Sequence, residues 1–347
     1  MRHLTVGLVL LVLTLSAYRS VWSAGWVYED RATLTAATES ASWARAVSNW
    51  TWRMTPTPRA AHLVNLACHL VIAVLLGLLV RRLGLTTLGM WVVVLAWLLH
   101  PLTTETVAYV KARSEQLVLI GALLAMIAAA GRWWRPWGLV GMVGGSVLAV
   151  GAEPSGVVVV LLVPLVIWYG RHRYWREVPL WAPWWFPAII AAELILGGIL
   201  WYGGLRAVVN ADTEAGLAVV TAVTWWQWGL AQSGAVWYWC LAVVWPAFVT
   251  PDLDVDRLSG LTRGMGVGLM LAGAVIAVRC HRTRPLVTLA LLWTLCAIGP
   301  RLLVQTPRSY LNAAQFASAF MGVTLLAGVG AEHLRERWTQ HITERGV

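Results

Sequence analysis

Apolar runs of 15 to 20 residues recur along the whole chain, separated by short clusters of charge, proline and glycine. They fall at about 4–22, 61–80, 86–100, 115–131, 138–152, 155–170, 183–203, 262–279, 286–304 and 311–331. As helices most of them approach or match the length that crosses a hydrocarbon core of about 30 Å. A soluble core has no use for so many such runs. The pattern therefore predicts an all-α, polytopic transmembrane helical bundle. The first run, "LTVGLVLLVLTL", follows Met-Arg-His as a signal peptide would, but "SAYRSVWSAGW" offers only a weak cleavage site, so a retained first helix is expected. Segment 214–248 is rich in tryptophan, the residue favoured where water meets lipid. It reads either as an interfacial or re-entrant element or as a tight pair of spans, giving about 10–12 spans in all.

Composition agrees: 59% of the 347 residues are hydrophobic, 12% are charged, and mean hydropathy is +0.68. The formal charge of +10 could suggest nucleic acid, but the basic residues lie in short clusters at the ends of apolar runs. That is the distribution of topology signals, and no nucleic-acid partner is expected. With the N-terminus inside, fourteen basic residues fall on the inner side, including Arg81, Arg82 and those of a short tail, 332–347. Eleven of the sixteen acids then face outward, so any chemistry is expected on the outer face. Lys111 is the one lysine among 26 basic residues, and this arginine-dominated, compact chain points to a bacterial inner membrane with the site facing the periplasm. The four cysteines show neither metal nor disulfide spacing.

Several outward constellations carry possible chemistry. "GWVYEDR" (25–31) opens a long outer loop, about 23–60, with the adjacent acids Glu29 and Asp30. Such a pair can coordinate a hard divalent cation, Mg or Mn, or take a proton from a hydroxyl; it can equally be a solvated turn. The same loop holds "ASWARAVSNWTWRM" (41–54), whose apolar residues recur at helical intervals, an amphipathic interfacial helix. "HLVNLACHLV" (62–71) sets His62, Asn65 and His69 on one helix side, as a proton relay, metal ligands or simple helix–helix hydrogen bonds. "HPLTTETVAYVKARSE" (100–115) crowds His100, Glu105, Lys111, Arg113 and Glu115 between two spans, where charge is costly and usually paired or functional. Glu153 lies in the short turn "GAEPSG" and can be a capping charge. "DLDVD" (252–256) alternates acids but lacks the glycine and terminal glutamate of an EF-hand. "TPRSYL" (306–311) supplies Arg308, a cation able to hold phosphate. Acids, arginines and indoles on one face suit a substrate that joins a lipid-linked phosphate to a sugar.

"WVYEDR", "HLVNLACHLVIAVLLGLLVRRLG", "HPLTTETVAYVKARSEQL", "AEPSGVVVVLLVPLV", "VWYWCLAVVWPAFVTPDLDVD" and "TPRSYLNAAQFASAF" follow one another in a familiar order. Over about residues 20–330 the chain resembles the transmembrane O-mannosyltransferases that modify cadherins, and their bacterial relatives, of the GT-C fold. The stretch from His100 to Glu115 is the most specific element. It is similar to a His-Pro-Leu-His-Thr-Glu-Ala-Val-Ala-Tyr-Val pattern followed by Arg-Ser-Glu. The resemblance implies a GT-C-like transmembrane domain over 1–331 and a polyprenyl-phosphate-linked sugar donor, mannose-like, with inverting transfer on the outer face. It implies that Asp30 and Glu29 are catalytic, that His100, Glu105, Arg113, Glu115 and Glu153 shape the cleft, and that Arg308 and Tyr310 face the lipid phosphate. Departures are Glu29 for an aspartate, Thr103 for a histidine, Ala152 for a lysine, and Pro307 and Ser309 in the usual Glu-Arg-Tyr-Leu-Tyr. The family's tetratricopeptide repeats are not in this sequence, so a scaffold for a protein acceptor is expected to come from another chain, or the acceptor is a small molecule, lipid or glycan. The alternative is a non-catalytic GT-C-like protein, a lipid-linked-sugar transporter or a partner subunit.

Overall fold

The computed structural model describes residues 2–27, 30, 45–131, 136–173, 224–250, 253, 258–303 and 311–344. Helices dominate, and no strand occurs among these residues. In chain order they are α1 (Arg2–Ala17), α2 (Ala46–Arg53), α3 (Pro58–Arg82), α4 (Thr87–Leu99), α5 (Thr104–Ala108), α6 (Arg113–Ala130) and α7 (Pro136–Ala152). Then come α8 (Val159–Arg173), α9 (Trp225–Val244), α10 (Gly260–Cys280), α11 (Pro285–Leu303) and α12 (Ala313–Glu344). Among the described residues five stretches are long and apolar enough to cross a membrane: Pro58–Arg82, Val110–Ala130, Pro154–His172, Gly260–Cys280 and Ala313–Thr343. α4 and the turns after it form a sixth, bent by 55°. α1, α7 and α11 contribute shorter apolar helices. The expected span at 183–203 lies outside the described residues.

The local chemistry sets the ends. Thr57 caps α3, its Oγ1 accepting from the Ala60 amide at 3.3 Å, and Pro58 fills the first helical position, where its missing N–H costs nothing. α12 opens with a reciprocal pair: Asn312 Oδ1 accepts from the Gln315 amide and Gln315 Oε1 from the Asn312 amide. Six helices close a ring, α3–α4–α12–α11–α8–α6 and back to α3, around a core that includes Trp97, Trp293, Phe316 and Phe320. α7 lies outside on α6, α1 on α4, and α9 and α10 against α11. Residues 225–244 form one unbroken helix, so they are not a pair of tight spans, and α9 is not among the five stretches apolar enough to cross.

The backbones of α6 and α7 approach each other closely. A Cβ at Gly145 would come within 2.6 Å of the Gly121 carbonyl oxygen and of the Ala125 amide nitrogen. Gly121 and Ala125 on α6 face Gly145 and Ala149 on α7, each pair four residues apart, the small-residue spacing that lets backbones touch within a membrane. Gly145→Leu is therefore expected to lower the melting temperature in detergent by several degrees through overpacking. Gly144→Leu, one position away with nothing within 4 Å, should leave it unchanged.

Candidate functional site

The stretch from His100 to Glu115 is not a loop. Pro101 ends α4, since it has no N–H to continue the ladder, and the His100 side chain caps the next turn. The chain then makes a 3-10 turn over Pro101–Thr103, the single-turn α5, a second 3-10 turn over Val110–Ala112, and enters α6. This folded-back element packs against the first turns of α3 and α12. Its crowded charges are there because each has a partner.

Arg113 is fully buried. Its Nε donates to Asn65 Oδ1 at 2.9 Å, Nη1 to the Thr51 carbonyl at 3.0 Å and Thr55 Oγ1 at 2.7 Å, and Nη2 to the Ala61 carbonyl at 2.8 Å. A guanidinium so enclosed has little left for a substrate. In this structure Arg113 clamps α2, the α2–α3 turn and α3 onto α6. Asn65 completes the clamp, donating from Nδ2 to the Tyr109 carbonyl at 3.0 Å.

His100 is similarly committed. Nε2 donates to the Val243 carbonyl at 3.0 Å, Nδ1 accepts from the Leu102 amide at 3.2 Å, and the ring leans on Phe320. This fixes the neutral tautomer with its proton on Nε2 and ties α4 to α9 and α12. Glu105, half-buried, accepts from the Ala314 amide at 3.1 Å and so places a carboxylate on the positive end of α12. Glu115 accepts from Ser155 at 3.4 Å. Glu153 takes a two-pronged ion pair from Arg45, with Nε and Nη2 each 2.9 Å from a carboxylate oxygen, and Ser48 donates to the Ala152 carbonyl beside it at 2.6 Å. These bonds dock the first loop, through α2, on the α7–α8 turn. Helix–loop docking of that kind leaves Glu153 holding the scaffold.

Asp30 sits at the centre of this end of the bundle, 1% exposed. Its Oδ2 accepts from the Val27 amide at 2.9 Å, and its Oδ1 from the Lys111 amide, 81 residues away, at 3.1 Å. Burial pushes its carboxyl above the ordinary carboxylate range, while the Val27 and Lys111 amides pull it part of the way back. The result is a carboxylate held in one orientation and more basic than a surface aspartate. Glu29, Arg308, Tyr310 and the 252–256 acids lie outside the described residues. Asp30 has both oxygens engaged by amides, and among the described residues no three His, Cys, Asp or Glu side chains gather as metal ligands.

The arrangement brings Asp30 together with the element that carries Glu105, Arg113 and Glu115, and joins Glu153 to the same end through α2. His62 joins them too: it is fully buried, and its Nε2 donates to the Gly25 carbonyl at 2.9 Å. Its position three residues before Asn65 signalled a polar helix face, but only the fold shows that Asn65 serves the clamp and His62 the loop. No family model, curated protein or solved structure matches this chain.

Proposed function

We propose that the protein is a GT-C-like membrane glycosyltransferase. It moves a mannose-like sugar from a polyprenyl-phosphate carrier to a protein, lipid or glycan acceptor on the outer, periplasmic face of a bacterial inner membrane. Asp30 is the base. It takes the proton from the acceptor hydroxyl, whose oxygen attacks the anomeric carbon. The sugar–phosphate bond breaks, the phosphate leaves with the electron pair, and configuration inverts. Arg308 and Tyr310 are assigned to the leaving phosphate.

The observation that supports this reading most is the bond from the Lys111 amide to Asp30. Two parts of the sequence resemblance, the first-loop acid and the 100–115 stretch, meet at a buried, basic carboxylate. Purified protein in nanodiscs, given radiolabelled polyprenyl-phosphate mannose and a panel of acceptors, should form labelled product with inverted configuration. Absence of product and of donor binding would sink the proposal.

A second reading, a non-catalytic lipid-linked-sugar transporter or partner subunit, draws on the occupation of Arg113 and His100 by protein partners. It expects donor binding without product across the same panel.

A further inference from the structure

Two buried polar atoms near Asp30 have no partner: His62 Nδ1 and Trp52 Nε1. Their residues are 0% and 3% exposed. Leaving such groups unpaired is costly, so each calls for an explanation. Several contacts place them in one patch. Trp52, Ala61 and Val110 form a buried cluster with Trp26 packed against it. His62 follows Ala61 and reaches Gly25, the neighbour of Trp26; Lys111 follows Val110 and reaches Asp30.

We infer that His62 and Trp52 together recognise one hydroxyl group of a saccharide beside Asp30. Because His62 donates its Nε2 proton to the Gly25 carbonyl, neutral His62 offers only a lone pair at Nδ1. Trp52 offers only an N–H. A phosphate or carbonyl oxygen can accept from the indole but gives nothing to the imidazole, and an ammonium does the reverse. A hydroxyl donates to Nδ1 and accepts from Nε1–H through one oxygen. Among common metabolite groups, sugars carry it in greatest density. Trp26 covers the patch in this conformation, so entry of the sugar displaces that ring, and the two newly made hydrogen bonds offset the displacement.

This assignment rests on the proposed sugar transfer, and the test separates the two. His62→Gln keeps a donor for Gly25 and removes the acceptor at Nδ1; His62→Asn keeps an acceptor and gives up Gly25; Trp52→Phe keeps the ring and removes the N–H. In nanodiscs, His62→Gln and Trp52→Phe should each raise the KM of one and the same substrate, donor or acceptor, about tenfold with kcat little changed. The double variant should add little, since both groups hold the same oxygen. His62→Asn should stay nearer the parent KM. One deoxy-sugar analogue of that substrate should bind parent and variants equally, naming the hydroxyl. A bridging water would instead leave every KM unmoved while the variants lose thermal stability, and that result overturns the inference. If the parent protein transfers no sugar, direct binding of polyprenyl-phosphate mannose and of methyl mannoside is the measure. Weaker binding by His62→Gln and Trp52→Phe supports the pair, whereas equal binding, or none by the parent, overturns it.

Discussion

Asp30→Asn should reduce sugar transfer by about 100- to 10,000-fold, the range expected when a positioned general base is removed. The loss should appear in kcat, with donor binding retained, because the side chain keeps its size. Asparagine has one oxygen to meet the two amides of Val27 and Lys111, so a modest fall in melting temperature is expected as well. The pH dependence separates the chemical role from the structural one. Burial holds the Asp30 carboxyl above its ordinary range, and the base works only when ionised. Activity should therefore rise with pH through this raised value, giving an acid limb above about pH 4, where an ordinary aspartate would titrate. Stability must move the other way. A carboxyl whose folded value is raised favours the folded state while protonated, and that contribution is lost as pH rises through the folded value. Rate and melting temperature measured across the same window should cross, and the stability slope should flatten in Asp30→Asn. A pH-independent rate from pH 4 to 7 would remove Asp30 from the chemistry.

Arg113→Lys should fail structurally. The guanidinium makes four donated bonds in a fixed fork to partners in α2, the α2–α3 turn and α3. An ammonium is a compact donor that cannot span Asn65, Thr55 and the Ala61 carbonyl together. Losing two or three bonds to a charged group, at about 1.5–3 kcal/mol each, costs on the order of 3–9 kcal/mol, comparable to the whole stability of many domains. Yield of folded protein and melting temperature in detergent should both drop sharply, and Arg113→Met should behave as badly. A phosphate-binding arginine predicts the opposite result: Arg113→Lys folded at the parent melting temperature, with a raised donor KM. That outcome would restore the role suggested by the sequence.

The sequence makes the helices readable because the apolar runs are long and the membrane leaves backbone groups few alternatives to a helix. α3, α6, α8, α10 and α12 lie where their hydrophobic runs lie. Pro101 marks the end of α4, but not that the residues after it fold back as turns, since a proline signals a break and leaves its continuation open. The acids and cations of the site could be singled out by depth and crowding alone. Their partners could not. Arg113 meets the backbone carbonyls of Thr51 and Ala61, and a carbonyl has no residue-type signature. Arg45 pairs with Glu153 across 108 positions, and nothing local joins an interfacial helix to a distant turn. For the same reason Arg113 looks like a ligand contact in sequence and proves to be a clamp.

Glu332, well inside α12, accepts from the Thr86 amide, and Glu105 takes the Ala314 amide at the helix start. The two glutamates thus pin α4 and α5 alongside α12 at points eighteen residues apart, about 27 Å along a helix axis. That makes a ruler of fixed length. A sheet of acyl chains close to this depth fits without strain, while a thicker one has to thin around the helices and a thinner one makes the whole barrel of helices lean. Reconstitution in lipids of graded chain length would then tune the protein as a matched gauge, with the shorter tails the better fit.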